Sequence, residues 1–596
     1  MYPHTDIELV DNSQYKRITV AESANGPVAM SAFLSDRGSE DLNMYRGAAF
    51  FNMFGANTDI ERFGQAFFEA AQVIQKGGRV YAKRIVSPDA QLANTLVYAH
   101  VLRTGNPITG YRATLKYGSI SVVSTSNDLE RVAANAEALV PESAADGSDT
   151  VLPLYLITSM GRGSWAPRFR ITPDYRYSRN AGFAKYIFEV VSPNNYQVTN
   201  ETFTFSANPD MIEKNLNMGL DMVAERNSTQ IRVLPWNDNL ILLPQLIETI
   251  TGATAGSLLT EDFLFGRTIK GVPLDKVDVD FSAFNPSDVF GNELQNGSDG
   301  SFAVNATSST YYEQELVNLF NGTYSDDIYN LDSLVIDFIL DANYPVAVKR
   351  AIEEFVTWRQ DCYYIRDMGL NVWSVDDVID FERNVLHNMF SGSYCNFMMV
   401  IDDTTKRYIQ VTIPYIMAGL LTIHFINGCN RPFAGIRYGI TWAYGAEIKR
   451  GSINFLPKVT PNIDEKSQLD ELGVNYVSIY NGTTVVMETF YTGQHYSTSS
   501  QFDYSQNVWN VQRVIKALRL QCPRSRYAFL RGQDFTDYQN DVNAAATQYS
   551  DSFMSFSMVY AADADYEANN IYYALLEVSF IPVAQAEKFK ITAIAA

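Results

Sequence analysis

Histidines are the first place to look for chemistry, and the chain has five: His4, His100, His387, His424 and His495. No two stand in an HxxxH or HxH spacing, so none share the one face of a helix or strand that a common metal ion needs. There is no G-x-S-x-G elbow for a nucleophile and no Walker GxxxxGK[ST] for a phosphate. Gly161-Arg-Gly163 is the only GxG near a serine, and it lacks the third glycine and the setting of a dinucleotide fold. Asp278 with Asp280, and Asp563 with Asp565, are acid pairs of the kind that serve as general acid and base or hold calcium. Neither has the remaining ligands of a calcium loop, and both read as solvated surface. Asp299, in Gly297-Ser-Asp-Gly300, reads as a turn former that satisfies its own backbone. Phe355, Trp358 and Tyr363 follow helix and strand periods and are expected in a core. No catalytic residue, cofactor or metal is expected.

The bulk properties are those of ordinary globular material. At 596 residues the chain exceeds one core and is expected to hold three or four domains. With 46% apolar and 19% charged residues it can bury large cores, and 13% aromatics, including 36 Tyr, suit β-structure and contact surfaces. Its net charge of −21, from 67 acidic and 46 basic residues, argues against general nucleic-acid binding, because no basic excess exists to release phosphate counterions. Cys362, Cys395, Cys429 and Cys522 form no CxxC pair and are expected as buried thiols in a reducing compartment. The opening MYPHTDIELVDNSQYKR has no apolar signal region, so no secretory route is indicated. Tyr415 to Ile426 is too short for a bilayer and reads as a buried core helix.

The elements follow from period and punctuation. Residues 1–27 hold two short strand-like pieces, Ile7 to Val10 and Arg17 to Val20, and read as an arm that docks elsewhere. Within 28–100, Thr58 and Glu61 make a capping box. Ile60, Phe63, Phe67, Ala71 and Ile74 recur at helical spacing until Gly77-Gly78, and a strand Arg79 to Val86 follows. Residues 101–290 change texture to short alternating runs, Lys185 to Val191, Thr202 to Phe205 and Ile231 to Leu234, bounded by Pro, Asn and Gly: a β-rich insertion. Residues 291–450 are α/β by pattern. A strand Leu334 to Leu340 is followed by a helix from Pro345 with Val348, Ile352 and Phe355 inward, then a strand Cys362 to Ile365. In 451–583 a helix Asn507 to Gln521 is expected to bury Val508, Val511, Ile515 and Leu518, to expose Arg513, Lys516 and Arg519, and to end before Pro523.

The C-terminus carries two alternating strands. In the first, Leu576, Val578 and Phe580 oppose Glu577 and Ser579; in the second, within 584–596, Phe589 and Ile591 oppose Lys588 and Lys590. A terminal amphipathic strand must pair, within its own domain or with another subunit, because its N–H and C=O groups and its Phe and Ile are costly in water.

Several landmarks lie in one order along the chain: FGQAFFEAAQVIQKGGRVYAKRIV (63–86), LQNGSDG (294–300), DANYPVAVKRAIEEFVTWRQDCYYIRD (341–367), PYIMAG (414–419), RPFAG (431–435), LDELGVN (469–475) and IPVAQAEK (581–588). The series resembles contractile-tail sheath proteins of tailed phages: their N-terminal core, GGSDG turn, D-x-x-YP and R-x-D pattern, PY-x-x-AG, P-x-AG, LN-x-x-GIN and C-terminal signature. MGRGSWAP (160–167) is similar to that family's short G-W/G-N turn with the usual Asn replaced, and Thr489 stands near a family Thr, with Phe490 departing from the pattern.

The resemblance implies a multidomain α/β and α+β fold. Its sheath core would have mixed sheets and packed helices, a protruding insertion at 101–290, and extended arms at 1–27 and 584–596. It also implies a helical homopolymer around an inner tail tube protein, meeting baseplate and tail terminator proteins, with no direct nucleic acid and no membrane insertion. Such a protein belongs to the virion tail and is assembled in the host bacterial cytoplasm. Strand exchange between subunits would fall at Ile18, Val20, Lys588, Phe589, Lys590 and Ile591. The alternatives are the sheath of a bacterial contractile injection system and, in another class, a soluble multidomain α/β enzyme.

Overall fold

A computed structural model describes residues 16–17, 26–56, 59–104, 110–118, 149–173, 186–193, 198–206, 209–240, 277–280, 292–303, 306–322, 326–331, 334–372, 374–402, 405–427, 433–449, 451–455, 459–482, 484–496, 500–525, 535–547, 553–561 and 573–580. Its helices are α1 (Ala48–Phe54), α2 (Ile60–Phe63), α3 (Ala66–Gln75), α4 (Leu220–Asn227), α5 (Thr310–Phe320), α6 (Val346–Arg359), α7 (Val375–Glu382), α8 (Pro414–Ile426), α9 (Ile440–Lys449), α10 (Ile463–Glu471), α11 (Ser505–Ser525) and α12 (Phe535–Thr547). The fold is mixed α/β.

Its centre is a sheet drawn from both ends and the middle of the chain. The strands are β2 (Val28–Phe33), β3 (Asn43–Arg46), β4 (Arg79–Arg84), β16 (Phe338–Leu340), β17 (Tyr363–Asp367), β18 (Ser391–Cys395), β22 (Val474–Tyr480) and β23 (Thr484–Met487). Their order is β23-β22-β18-β17-β16-β2-β4-β3. From β22 to β4 every pair is parallel; β3 and β23 close the two sides antiparallel. Composition explains the order. β2, β17 and β18 are buried at every position, as strands covered on both faces are, whereas β4 alternates and β3 buries only Tyr45. α3 packs on α8 and lies over β2 and β4, while α5 packs on α6, which lies against β17. A small antiparallel sheet of β19 (Phe397–Ile401), β20 (Tyr408–Thr412) and β21 (Ile453–Phe455), ordered β20-β19-β21, sits beside it.

The β-rich stretch that follows β4 holds β5 (Asn94–Thr104), β6 (Gly110–Gly118), β7 (Asp149–Ser159), β8 (Arg168–Pro173), β9 (Tyr186–Val191), β10 (Glu201–Phe205), the short pair β11 (Ile212–Glu213) and β12 (Leu216–Asn217), β13 (Ile231–Pro235), β14 (Val277–Asp280) and β15 (Asn292–Glu293). They form sheets ordered β13-β7-β5-β6-β14 and β10-β9-β8-β15. In the second, Phe188 stacks between Phe169 at 5.5 Å and Phe203 at 5.2 Å. The chain entering this region and the chain leaving it lie side by side, bridged at Gln91 to Ser298 and Asn94 to Gln295. β5 itself runs across the expected boundary at residue 100. A further sheet joins the two ends of the described chain: β1 (Lys16–Arg17), β24 (Phe553–Ala561) and β25 (Tyr573–Phe580).

Several expectations need correction. The helix expected from Ile60 to Ile74 is two helices, because Gly64 takes φ +72° between α2 and α3; the cap is Asp59, whose side chain accepts from Arg62 N–H, while Thr58 lies outside the described residues. The strand expected over Leu334–Leu340 is ordered as a strand only at Phe338–Leu340. α11 runs through Pro523 to Ser525, since a proline in the last turn forfeits one main-chain bond without ending the helix. Trp358, expected in the core, is 55% exposed, because Arg359 takes the inward place beside it and binds Asp361. Arg513, Lys516 and Arg519, expected on the surface, are buried.

Candidate assembly interface

The terminal sheet begins as a hairpin whose base is rooted in the core. Phe553 of β24 and Phe580 of β25 pair across the ladder with rings 5.3 Å apart, and Phe580 meets Phe502 of the core at 5.3 Å. One residue further, the register slips between Phe553 and Ser555. The extra residue is Met554, left 44% exposed by the bulge. On the far side of β25, β1 adds in parallel, with Lys16 opposite Val578 and Arg17 opposite Ser579. β24 is thus the outer strand, and among the described residues nothing pairs with its other edge. Such an edge offers a row of main-chain donors and acceptors to any strand of suitable length. Of the expected exchange residues, Ile18 and Val20 follow β1 directly but lie outside the described residues, as do Lys588, Phe589, Lys590 and Ile591.

The sequence landmarks converge on buried polar joints. Asp341, Tyr344, Arg366 and Asp367, all from the 341–367 landmark, are buried at the carboxyl ends of β16 and β17. Asp341 accepts from Lys349 Nζ (2.5 Å), Tyr364 Oη (2.5 Å) and the N–H groups of Tyr344 (3.0 Å) and Asp367 (3.2 Å). Burial, aided by the nearby Asp367 charge, pushes the Asp341 carboxyl up to about 6. Burial opposes the charge on Lys349, but Asp341 and Asp367 outweigh it and hold the ammonium above its usual value. Arg366 binds Glu353 Oε1 (2.5 Å), Glu382 Oε2 (3.4 Å) and Ser393 Oγ (3.0 Å from Nε). These carboxylates are buried and paired with cations from neighbouring elements, an arrangement that holds strands and helices together.

Asp299 does more than close its own turn, which corrects the sequence reading. Its carboxylate accepts from Ser164 N–H (3.0 Å), the Ser164 hydroxyl and Arg62 Nη2 (2.7 Å), tying the GSDG turn to α2 and to the MGRGSWAP segment. In the 414–419 landmark, Gly419 lets α8 approach α9: an added Cβ would stand 1.9 Å from the Tyr444 hydroxyl, which itself donates to Ile416 O at 3.0 Å. In the 469–475 landmark, Asp470 accepts from Tyr491 Oη at 2.7 Å, and Asn475 exchanges two bonds with the Tyr491 backbone.

Sequence reasoning missed the basic residues of α11. Lys516 Nζ lies 2.5 Å from Asp337, Arg519 Nη1 lies 3.0 Å from Asp361, and Arg513 donates to Phe425 O at 3.1 Å while covering that ring. The available signal was Asp337 and Asp361 themselves, acids placed immediately before β16 and β17, where an apolar setting demands a partner. Cys362 and Cys395 are free and buried, as expected; Cys429 lies outside the described residues and nothing is described of the Cys522 side chain. Among the described residues no group of His, Cys, Asp and Glu is arranged to hold a metal ion, and no helix is long and apolar enough to cross a membrane.

No family model matches the sequence, and no curated protein does. Among solved structures, the chain is similar to the sheath tail protein from Listeria innocua, with 9% identity and a TM-score of 0.48 over 94% of this chain and 96% of that one. It is also similar to the PVC sheath complex of an extracellular contractile injection system in its contracted state, with 10% identity and a TM-score of 0.34 over 43% of this chain and 70% of that one. A chain from the baseplate of the anti-feeding prophage matches with 9% identity and a TM-score of 0.34 over 48% and 81%.

Proposed function

We propose that this chain is the structural subunit of a phage-type contractile tail sheath, a non-enzymatic protein that polymerises helically around an inner tube and shortens to drive the tube through a bacterial envelope. The observation that carries the reading is the terminal sheet, where β1 from early in the chain joins a hairpin rooted at its base whose strand β24 has no partner on its other edge among the described residues. Beyond it the sequence supplies another amphipathic strand, Lys588 to Ile594, that needs a partner edge. A donated strand of about six residues forms several main-chain bonds of ~0.5–1.5 kcal/mol each and buries Phe589 and Ile591 at ~1.5–3 kcal/mol each. Such a tether survives while rigid cores rotate past one another, and that is the requirement for a lattice that shortens without coming apart. The partners under this reading are other copies of the chain, an inner tube protein, and baseplate and terminator proteins, with residues 101–290 on the outside of the polymer. Neither nucleic acid nor a membrane is a partner, and assembly takes place in the host bacterial cytoplasm.

Truncating Ala584 to Ala596 tests this. The expected product is a soluble monomer with near-normal thermal unfolding that forms no tubes by negative-stain microscopy, while the full chain forms tubes or hollow cylinders. A truncated monomer with a sharply lowered unfolding temperature would assign the strand to its own subunit, and discrete particles from the full chain would overturn the sheath reading.

A further inference from the structure

Three carboxyl groups and one ammonium share a buried seam between α3 and the central sheet. Glu69 lies on α3, Asp341 follows β16, Asp367 ends β17 and Lys349 lies on α6, none more than 3% exposed. They are wired together. Gln65 Nε2 donates to Glu69 Oε1 (2.7 Å) and to Thr412 Oγ1 (2.5 Å), Thr412 Oγ1 donates to Asp367 Oδ2 (2.8 Å), and Lys349 Nζ joins Asp367 (3.0 Å) to Asp341 (2.5 Å). The other oxygen of Glu69, Oε2, is buried with no hydrogen-bond partner among the described residues.

Three ionised carboxylates against one lysine would leave two uncompensated negative charges in a buried site, and the other neighbours among the described residues do not balance them. α5 brings Tyr312, the turn after β16 brings Tyr344, and β17 brings Tyr364, all phenols that burial pushes up and keeps neutral. α8 brings Tyr415, bonded to Gln72 (2.5 Å), and β2 brings Ser31. The arginine of β4, Arg84, is committed to Ser35 O at 2.8 Å and to Arg162 O. Among the described residues the cation facing Glu69 is Lys349, and it is already shared by the two aspartates.

We propose that Glu69 is carried in the folded subunit as a neutral carboxylic acid, making this seam a proton-gated latch whose opening at alkaline pH loosens α3 from the central sheet. Burial first, then the charges of Asp367 and Asp341, place the Glu69 carboxyl well above its ordinary value, in agreement with the geometry. A carboxyl that holds its proton more tightly folded than unfolded adds stability fully present below its unfolded value and lost as pH rises through its folded value. Asp341, pushed up to about 6, contributes with the same sign.

The test is thermal unfolding of the full chain from about pH 5 to about pH 9, with hydrogen exchange at the α3 amides, in wild type and Glu69→Gln. In the wild type each pH unit across the Glu69 window is expected to speed α3 opening by up to about tenfold. The Gln variant, which keeps an amide where the neutral acid stood, is expected to lose that dependence and to unfold at a higher temperature than wild type at the alkaline end. A variant that tracks the wild-type slope overturns the proposal. Should Gln fail to fold, Glu69→Met reads the same slope. Independently, folded wild type at neutral pH must show a protonated-carboxyl infrared band that disappears on unfolding; its absence overturns the proposal as well.

Discussion

Asp299 shows what a single side chain in a turn can be made to do. Its Gly-Ser-Asp-Gly setting was readable as a turn, but a periodic reading says nothing about Arg62 and Ser164, more than a hundred residues away. Burial pushes the Asp299 carboxyl up, yet the bonds from Ser164 and Arg62 outweigh it and hold the group below the usual carboxylate range. Its stabilisation is therefore present above the unfolded value and is lost as pH falls through the lower folded value. Asp299→Asn is expected to cost about 1–3 kcal/mol near neutrality, with the gap to wild type closing in strong acid; unfolding curves in urea at a series of pH values read both. The same limit hid the α11 pairs and misplaced Trp358. A stripe at Val348, Ile352 and Phe355 points equally well to 358 or 359, and only Asp361, which receives the guanidinium of Arg359, decides between them.

The elements themselves were largely legible, because they rest on local period. The strands at Tyr186–Val191, Glu201–Phe205 and Ile231–Pro235, the buried helix Pro414–Ile426 and the helix from Pro345 came from alternation or helical spacing with the punctuation that bounds them. What failed was the joining of elements. The bond between Gln65 and Thr412 spans 347 residues, and no period relates the two. The packing of α8 on α9 is of the same kind, set by one absent side chain. Gly419→Ala is expected to drive the Tyr444 hydroxyl from its place, cost about 1–3 kcal/mol as an overpacked contact, and lower the unfolding temperature. Tyr444→Phe in the same background should restore part of the loss, since it removes the oxygen that the new methyl group meets. For the terminal sheet, sequence marked the strand Tyr573–Phe580 and the arm near Arg17, but their parallel pairing is a tertiary fact.

At the scale of the whole molecule, charge is the property most exposed to the solution. With a net −21, copies brought into a lattice repel one another at low ionic strength. Assembly of the purified chain, followed by light scattering, is expected to rise as salt shortens the screening length from ~30 to ~8 Å. A fall in polymer with added salt would instead mean that complementary acidic and basic patches meet at the contacts.

The place of β2 in the central sheet sets a timetable for the newborn chain. Its first residue, Val28, donates to Asp337, a partner 309 residues later. At ~5–20 residues per second a ribosome needs roughly 15 to 60 seconds to make that interval. Through that time β2, already flanked by β4, must wait with the side that β16 will take unpaired, while the strands from β5 to β14 emerge and can pair among themselves. The sheet that joins β1 to β25 closes later still, since it needs residues 573–580 to be made. A chain on the ribosome that lacks β25 therefore lacks the strand on which β1 and β24 pair, and the terminal sheet cannot form before it.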